Sequence, residues 1–434
     1  MKMFKGYYSI INLCSNKFLK AFGLYTITKV LNSCIPFFLL PIMTLYLSPE
    51  DYGLISMVVV VASFVQPIVT LNMDSSIVRK YYDTNVDIPK YIGSCIIYIL
   101  ISVVFCTLIL HFTKEKIEVI IHVPSMVLSL IPLYCFFLFF KNILLYFWQV
   151  KSLPLKFGTF SICCTIVEVS IALFCIIILG LNWRGRVVSL GITAFFSAIF
   201  AFFYFKKKQM ILFALNKDYL RHAIVYGIGL VPHAIGGSIM VLANRFYIGN
   251  MISLEEVGFY SVANQLACIL SFLILSFNNA YVPWLFERLS NKEYDKTKLV
   301  RTTYIFMCGF CLLGFFSYVI IDQIFPFFIN SSFENSLKHV PWLLLGFVFQ
   351  GFYFVQTNYI MFVEKTYLTG SITIISATIS IFLNLIFIKF WGAIGASIAF
   401  AVTYLLYFVL TWIVSAKVFP MPWFKFKMYE KKNC

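Results

Sequence analysis

Long stretches of this chain carry no Lys, Arg, Asp or Glu: 92–110, 187–205, 339–363, 366–388 and 390–416. A helix needs about 20 mostly apolar residues to cross a bilayer, so these runs are sized for that task. None shows strict two-residue alternation, which excludes a membrane β-barrel. Only 12% of the residues are charged, against about 25% in soluble domains. The fold class expected is an all-α polytopic membrane protein.

Twelve helices fit the hydropathy pattern, near 21–47, 53–78, 92–112, 125–149, 157–180, 187–205, 223–250, 257–283, 301–321, 339–361, 366–388 and 393–416. Of the 34 Lys and Arg, the alternation puts 26 on one side and 7 on the other, with Lys29 inside the first helix. This bias predicts that both termini are cytoplasmic. It also assigns the net charge of +16 to anionic lipid headgroups at the cytoplasmic face rather than to nucleic acid. No removable signal peptide is expected.

The polar break Ser48-Pro49-Glu50-Asp51-Tyr52-Gly53-Leu54-Ile55-Ser56 returns in the second half as Ser253-Leu254-Glu255-Glu256-Val257-Gly258-Phe259-Tyr260-Ser261. Each copy starts an apolar run with a helix-capping pattern. The repetition predicts two six-helix lobes, 1–208 and 223–434, joined by a cytoplasmic linker at 209–222. Duplicated halves are common in carriers that rock around a central site.

Several catalytic classes are excluded. There is no Gly-Lys dipeptide, hence no phosphate-binding P-loop. The 12 Cys fall mostly inside spans, and Cys308-Gly-Phe-Cys311 has no matching pair, so it reads as packing rather than metal or redox chemistry. No nucleophile has a visible base and no ligand cluster has metal spacing. The chain reads as a carrier, not an enzyme, with no cofactor beyond a proton or sodium gradient.

The irregularities are placed in the first two helices of each half, with Pro36, Pro41, Pro67, Pro232, Gly236 and Gly237 as the residues that carry them. They are read as hinge elements, because proline frees a backbone carbonyl that only protein or a wet cavity satisfies in lipid. Ionisable groups inside spans mark sites or interior pairs. Lys29 and Arg245 are the anion-binding candidates, each with snorkelling to an interface as the alternative. Arg79 adjoins the cytoplasmic boundary, where a headgroup or Asp74 competes with substrate for it. Asn32, Gln66 and Asn244 are the polar companions of this substrate-binding set. Glu168, Asp74 and His233 are the coupling-ion candidates, with a satisfied interior group as the alternative for each. The small residues between Gly392 and Ala399 read as close helix packing.

Four segments carry a family resemblance: Leu47–Gly53; Asn72-Met-Asp74-Ser-Ser-Ile-Val-Arg79; Asn244-Arg245-Phe246 followed by Glu256–Ala263; and Trp391-Gly-Ala-Ile-Gly395-Ala396. In order and topology they resemble polysaccharide flippases of the Wzx type, in the multidrug/oligosaccharidyl-lipid/polysaccharide exporter superfamily. The resemblance implies twelve helices in two lobes, a basic central cavity, and transfer of a polyprenyl-pyrophosphate-linked oligosaccharide to the outer leaflet of a bacterial cytoplasmic (inner) membrane, beside other polysaccharide-assembly proteins. Lys29 and Arg245 would together receive the pyrophosphate. The family often has Asp before the helix 7 Arg, whereas this chain has Asn244. The competing readings are a multidrug or cation antiporter of the same superfamily, a polysaccharide polymerase or ligase, and a membrane scaffold. Lys29 and Arg245 argue against the antiporter, and short loops and the internal repeat argue against the polymerase or ligase.

Overall fold

A computed structural model describes residues 37–290 and 295–423 except 82 and 84, together with Leu24, Thr28, Leu31, Asn32 and Ile35. Lys29 and Pro36 lie outside the described residues, as does the side chain of His233. The described residues are overwhelmingly helical and contain no strand. Eleven helices are long and apolar enough to cross a membrane. A shorter apolar helix, α1 (Phe37–Tyr46), precedes them, and the twelve-helix, two-lobe reading is compatible with this set.

The first half continues with α2 (Pro49–Thr70), the short α3 (Met73–Lys80), α4 (Ile88–Ile121), α5 (Ser125–Val150), α6 (Pro154–Leu173) and α7 (Asn182–Lys207). A π-helical turn, Phe174–Ile178, extends α6. The second half has α8 (Lys217–Met251), α9 (Leu254–Ser290), α10 (Lys296–Phe328), α11 (Val340–Phe362), α12 (Thr366–Trp391) and α13 (Ala393–Val418). Several helices outrun the apolar windows that mark them, as α4 and α9 do at both ends. Backbone hydrogen bonding carries a helix on into charged flanking residues that hydropathy leaves out.

Packing divides the chain into two compact units. One takes in the residues up to Leu242 and the segment Ser253–Gly258. The other takes in Ala243–Ile252 and the residues from Phe259 onward. These units are defined by packing, and the sequence halves by repetition. In the first unit α5 is central, packing against α2, α3, α4, α6 and α7. In the second, α13 packs on α11 and α12, and α10 on α11.

The second span is shorter than its apolar run suggests. The expected helix over 53–78 breaks at Leu71 and Asn72, which both adopt left-handed backbone conformations (φ 46° and 48°). Asn tolerates that region; Leu rarely enters it. A Cβ on Gly227 of α8 would overlap the Leu71 carbonyl oxygen, so glycine there lets α8 lie against the break. Asn72, Asp74 and Arg79 therefore belong to the break and to α3, not to a continuous second span.

The linker is strapped to the start of α4. The Leu212 amide donates to the Pro89 carbonyl at 3.0 Å. Ser94 Oγ donates to the Ala214 carbonyl at 2.9 Å and accepts from the Asn216 amide at 3.1 Å. Gly93 faces the Leu212 carbonyl with no room for a Cβ. The Tyr91 hydroxyl and His222 Nδ1, 2.9 Å apart, extend the clasp to α8.

Candidate functional site

In the first unit, the polar interior centres on α6. Glu168 Oε1 lies 2.8 Å from Arg186 Nη2 of α7, with 20% and 16% of the two side chains exposed. Tyr52 and Tyr134 lie within electrostatic reach of this pair. Arg186 Nη1 is buried with no hydrogen-bond acceptor. Six residues beyond Glu168 the helix widens into the π turn at Phe174–Ile178, a distortion that recurs at functional sites. Ala172, before the turn, and Ile176, within it, pack with Leu39, Met43, Leu47 and Ile55, which holds this end of α6 against α1 and α2.

Glu168 falls inside the expected helix 157–180, and Arg186 lies one residue before the expected helix 187–205. The structure makes them partners. Arg186 escaped notice because α7 begins at Asn182, inside a segment that hydropathy scores as a polar connection. The signal was present as a carboxyl and an arginine on consecutive spans flanking a short turn.

The amide set is also engaged. Asn32 Nδ2 donates to Ser161 Oγ at 2.7 Å, and Asn32 Oδ1 accepts from Thr165 Oγ1 at 3.1 Å, which ties Asn32 to α6. Gln66 Nε2 donates to the Cys135 carbonyl at 3.4 Å, while its Oε1 is buried without a donor. Asn72 Nδ2 is likewise buried and unmatched. Asp74 Oδ1 accepts from the Ser75 amide at 2.9 Å, and Arg79 is exposed.

The hinge candidates differ in setting. Pro67 is buried inside α2, and Pro41 lies within α1. Pro232 sits within the continuous α8 on an exposed face. Gly236 is buried and Gly237 exposed, with open space where a Cβ would stand on the latter. Nearby, Ser238 Oγ donates to the Ser63 carbonyl at 3.2 Å.

In the second unit, Arg245 is 7% exposed. Its guanidinium lies 5.4 Å from the centre of the Tyr260 ring, within cation–π range. Asn244 Nδ2 donates to the Tyr260 hydroxyl at 2.7 Å, while Asn244 Oδ1 is buried without a donor. The polar run continues along α9: Ser271 Oγ donates to Gln350 Oε1 at 2.8 Å, and Gln350 Nε2 donates to the Tyr404 hydroxyl at 3.1 Å. Tyr353 and Tyr407 stack with centroids 3.9 Å apart. Sequence reasoning passed over Tyr260, although the second copy of the repeated motif carries it where the first has Ile55.

Among the described residues no three or more His, Cys, Asp or Glu are grouped as metal ligands. A family model described as "Polysaccharide biosynthesis protein" matches residues 18–289. The chain belongs to the polysaccharide biosynthesis protein family. Two Haemophilus influenzae proteins are similar to this family member over nearly their whole length. An "Uncharacterized membrane protein" is 21% identical over 394 residues, 87% of this chain and 94% of its own. "Lsg locus putative protein 1" is 20% identical over 398 residues, 86% of this chain and 94% of its own. Among solved structures, the lipid II flippase MurJ matches with a TM-score of 0.71 at 16% identity, over 91% of this chain and 87% of that one. A multidrug resistance MATE family transporter matches with the same score, 0.71, at 12% identity, over 89% and 94%. The family member thus has the fold of the superfamily that the motifs resemble.

Proposed function

We propose that this protein is a flippase that carries a polyprenyl-pyrophosphate-linked oligosaccharide from the cytoplasmic to the outer leaflet of a bacterial cytoplasmic membrane. The match of a polysaccharide-biosynthesis family model to most of the chain, on a carrier fold, is the observation that carries this reading. A pyrophosphate-glycan headgroup cannot enter hydrocarbon, whereas its polyprenyl tail can remain there, so the carrier need shelter only the headgroup. With no nucleotide-binding motif in the sequence, a proton or sodium gradient supplies the drive. Both termini face the cytoplasm, and the basic cytoplasmic face binds anionic lipid.

Arg245 and Lys29 are the proposed pyrophosphate ligands. Arg245 is stacked over Tyr260 with Asn244 beside it, so an anion binds as the guanidinium turns off the ring. Hydrogen bonds to charged groups contribute about 1.5–3 kcal/mol, so losing one weakens loading about ten-fold or more. In a flippase-deficient strain, Lys29→Ala and Arg245→Ala each cut surface glycan at unchanged protein level. Arg245→Lys restores only part of it, because the forked guanidinium fits phosphate better than an ammonium. Normal export by the double alanine variant removes both residues from the site. Export of cationic drugs, with no effect on surface glycan, would favour the multidrug antiporter reading.

A further inference from the structure

The polar run of the second unit reaches the middle of its helices. Ser271 lies close to the midpoint of α9, Gln350 to that of α11 and Tyr404 to that of α13. The bonds from Ser271 to Gln350 and from Gln350 to Tyr404 join the three helices at one level. Ser271, Gln350, Tyr404 and the neighbouring Tyr353 are all half-buried rather than enclosed. Hydrocarbon gives a carboxamide nothing to bond, so at mid-span such groups face protein or a wet cavity. Carriers hold their substrates at this depth.

The chemistry of this level is polar but uncharged. No Lys, Arg, Asp or Glu occurs over 257–286, 340–363 or 393–416. The two bonds occupy one N–H and one lone pair of the Gln350 carboxamide, which leaves a second of each. Tyr404 accepts from Gln350 and keeps its own proton to donate. Tyr353, one turn along α11 from Gln350, is held flat by its stack on the buried Tyr407, with an interplanar angle of 23°. A fixed aromatic ring beside neutral donors and acceptors suits a pyranose, which offers a C–H face to the ring and hydroxyls to the polar groups. The set also continues from the anion-binding candidate. Tyr404 is within electrostatic reach of Tyr260 and Cys268, and Cys268 within that of Arg245. Ser271 lies 11 residues beyond Tyr260 on α9, about 16 Å at the helical rise, which leaves room for a short oligosaccharide.

We propose that Ser271, Gln350, Tyr404 and Tyr353 form a subsite for neutral sugars, which holds the glycan while Arg245 holds the pyrophosphate. The proposal rests on the flippase reading and narrows its substrate class to uncharged glycans. A uronic acid would bring a carboxylate to a level with no cation to meet it, and an unpaired charge costs far more to bury than a hydroxyl. Rejection of that kind sets specificity as much as attraction does.

The test uses the full chain in detergent and native mass spectrometry, with polyprenyl-pyrophosphate lipids in equimolar competition. One lipid is bare. A panel carries short neutral oligosaccharides of hexoses and N-acetylhexosamines, and a matched panel has one sugar replaced by a uronic acid. The parent should prefer at least one neutral glycan lipid to the bare lipid by about ten-fold. Gln350→Ala and Tyr404→Phe should each cut that preference about five-fold, as loss of a neutral hydrogen bond does. Variants that unfold at lower temperature yet keep the preference would show that these bonds only tie helices together, and would overturn the subsite. If the variants fail to accumulate, the parent decides. Uronic-acid lipids held about ten-fold more weakly than their neutral counterparts support the subsite, and equal or tighter binding overturns it. A parent that binds bare and glycan lipids equally overturns the subsite and leaves the flippase reading standing. A parent that binds none of these lipids overturns both.

Discussion

The Glu168–Arg186 pair gives the most quantitative prediction. Glu168→Gln removes the counter-charge of a guanidinium that already has one buried N–H group without an acceptor. Removing one partner of a buried pair costs about 3–5 kcal/mol, whereas an exposed pair contributes about 0–1 kcal/mol. With 20% and 16% of the two side chains exposed, the pair lies nearer the buried limit. Either Glu168→Gln or Arg186→Gln should cost about 2–3 kcal/mol, discounted for that exposure. The double replacement should cost less than the sum, because it strands no charge; the coupling should be about 1.5–3 kcal/mol. Apparent unfolding temperatures of the parent, both single variants and the double variant, measured in one detergent at one heating rate, form the cycle. Single-variant losses that add to within about 0.5 kcal/mol would show that the two groups do not interact. The same variants bear on energy coupling. A carboxylate that exchanges its guanidinium for a proton or sodium ion during transport should be indispensable. Glu168→Gln should then lose gradient-dependent export, and a variant that keeps full gradient dependence takes Glu168 out of that role.

Two further outcomes are expected. A Cβ at Gly395 would run into the Phe387 carbonyl where α12 turns into α13, so Gly395→Ala should cost about 1–3 kcal/mol as overpacking against backbone, while Gly370→Ala, at an open position, should leave the unfolding temperature unchanged. Reporter fusions after Asn85 and Met428 should be active on the cytoplasmic side, and one after Asp51 on the outer side; an outer-side signal at Met428 would defeat the twelve-span topology.

The sequence by itself determined the features that depend on composition and period. Uncharged runs of bilayer length leave a chain no option but spanning helices, since every backbone polar group must be satisfied within its own segment. The capping pattern at Ser48 and Ser253 was legible because a cap is a contact between residues three apart. The close packing read from Gly392 to Ala399 was legible for a related reason: small residues announce a close approach, and Gly395 indeed lies against the Phe387 carbonyl. Tertiary structure alone decided who meets whom. Glu168 and Arg186 lie on successive helices, and no local rule says that their side chains converge. Leu71 breaks the second helix against its own propensity, and Gly227 of a distant helix lies against its carbonyl. The twin glycines of the repeat show both levels at once. Their spacing is written twice in the sequence, but only folding brings Gly53 to the Leu254 carbonyl and Gly258 to the Pro49 carbonyl.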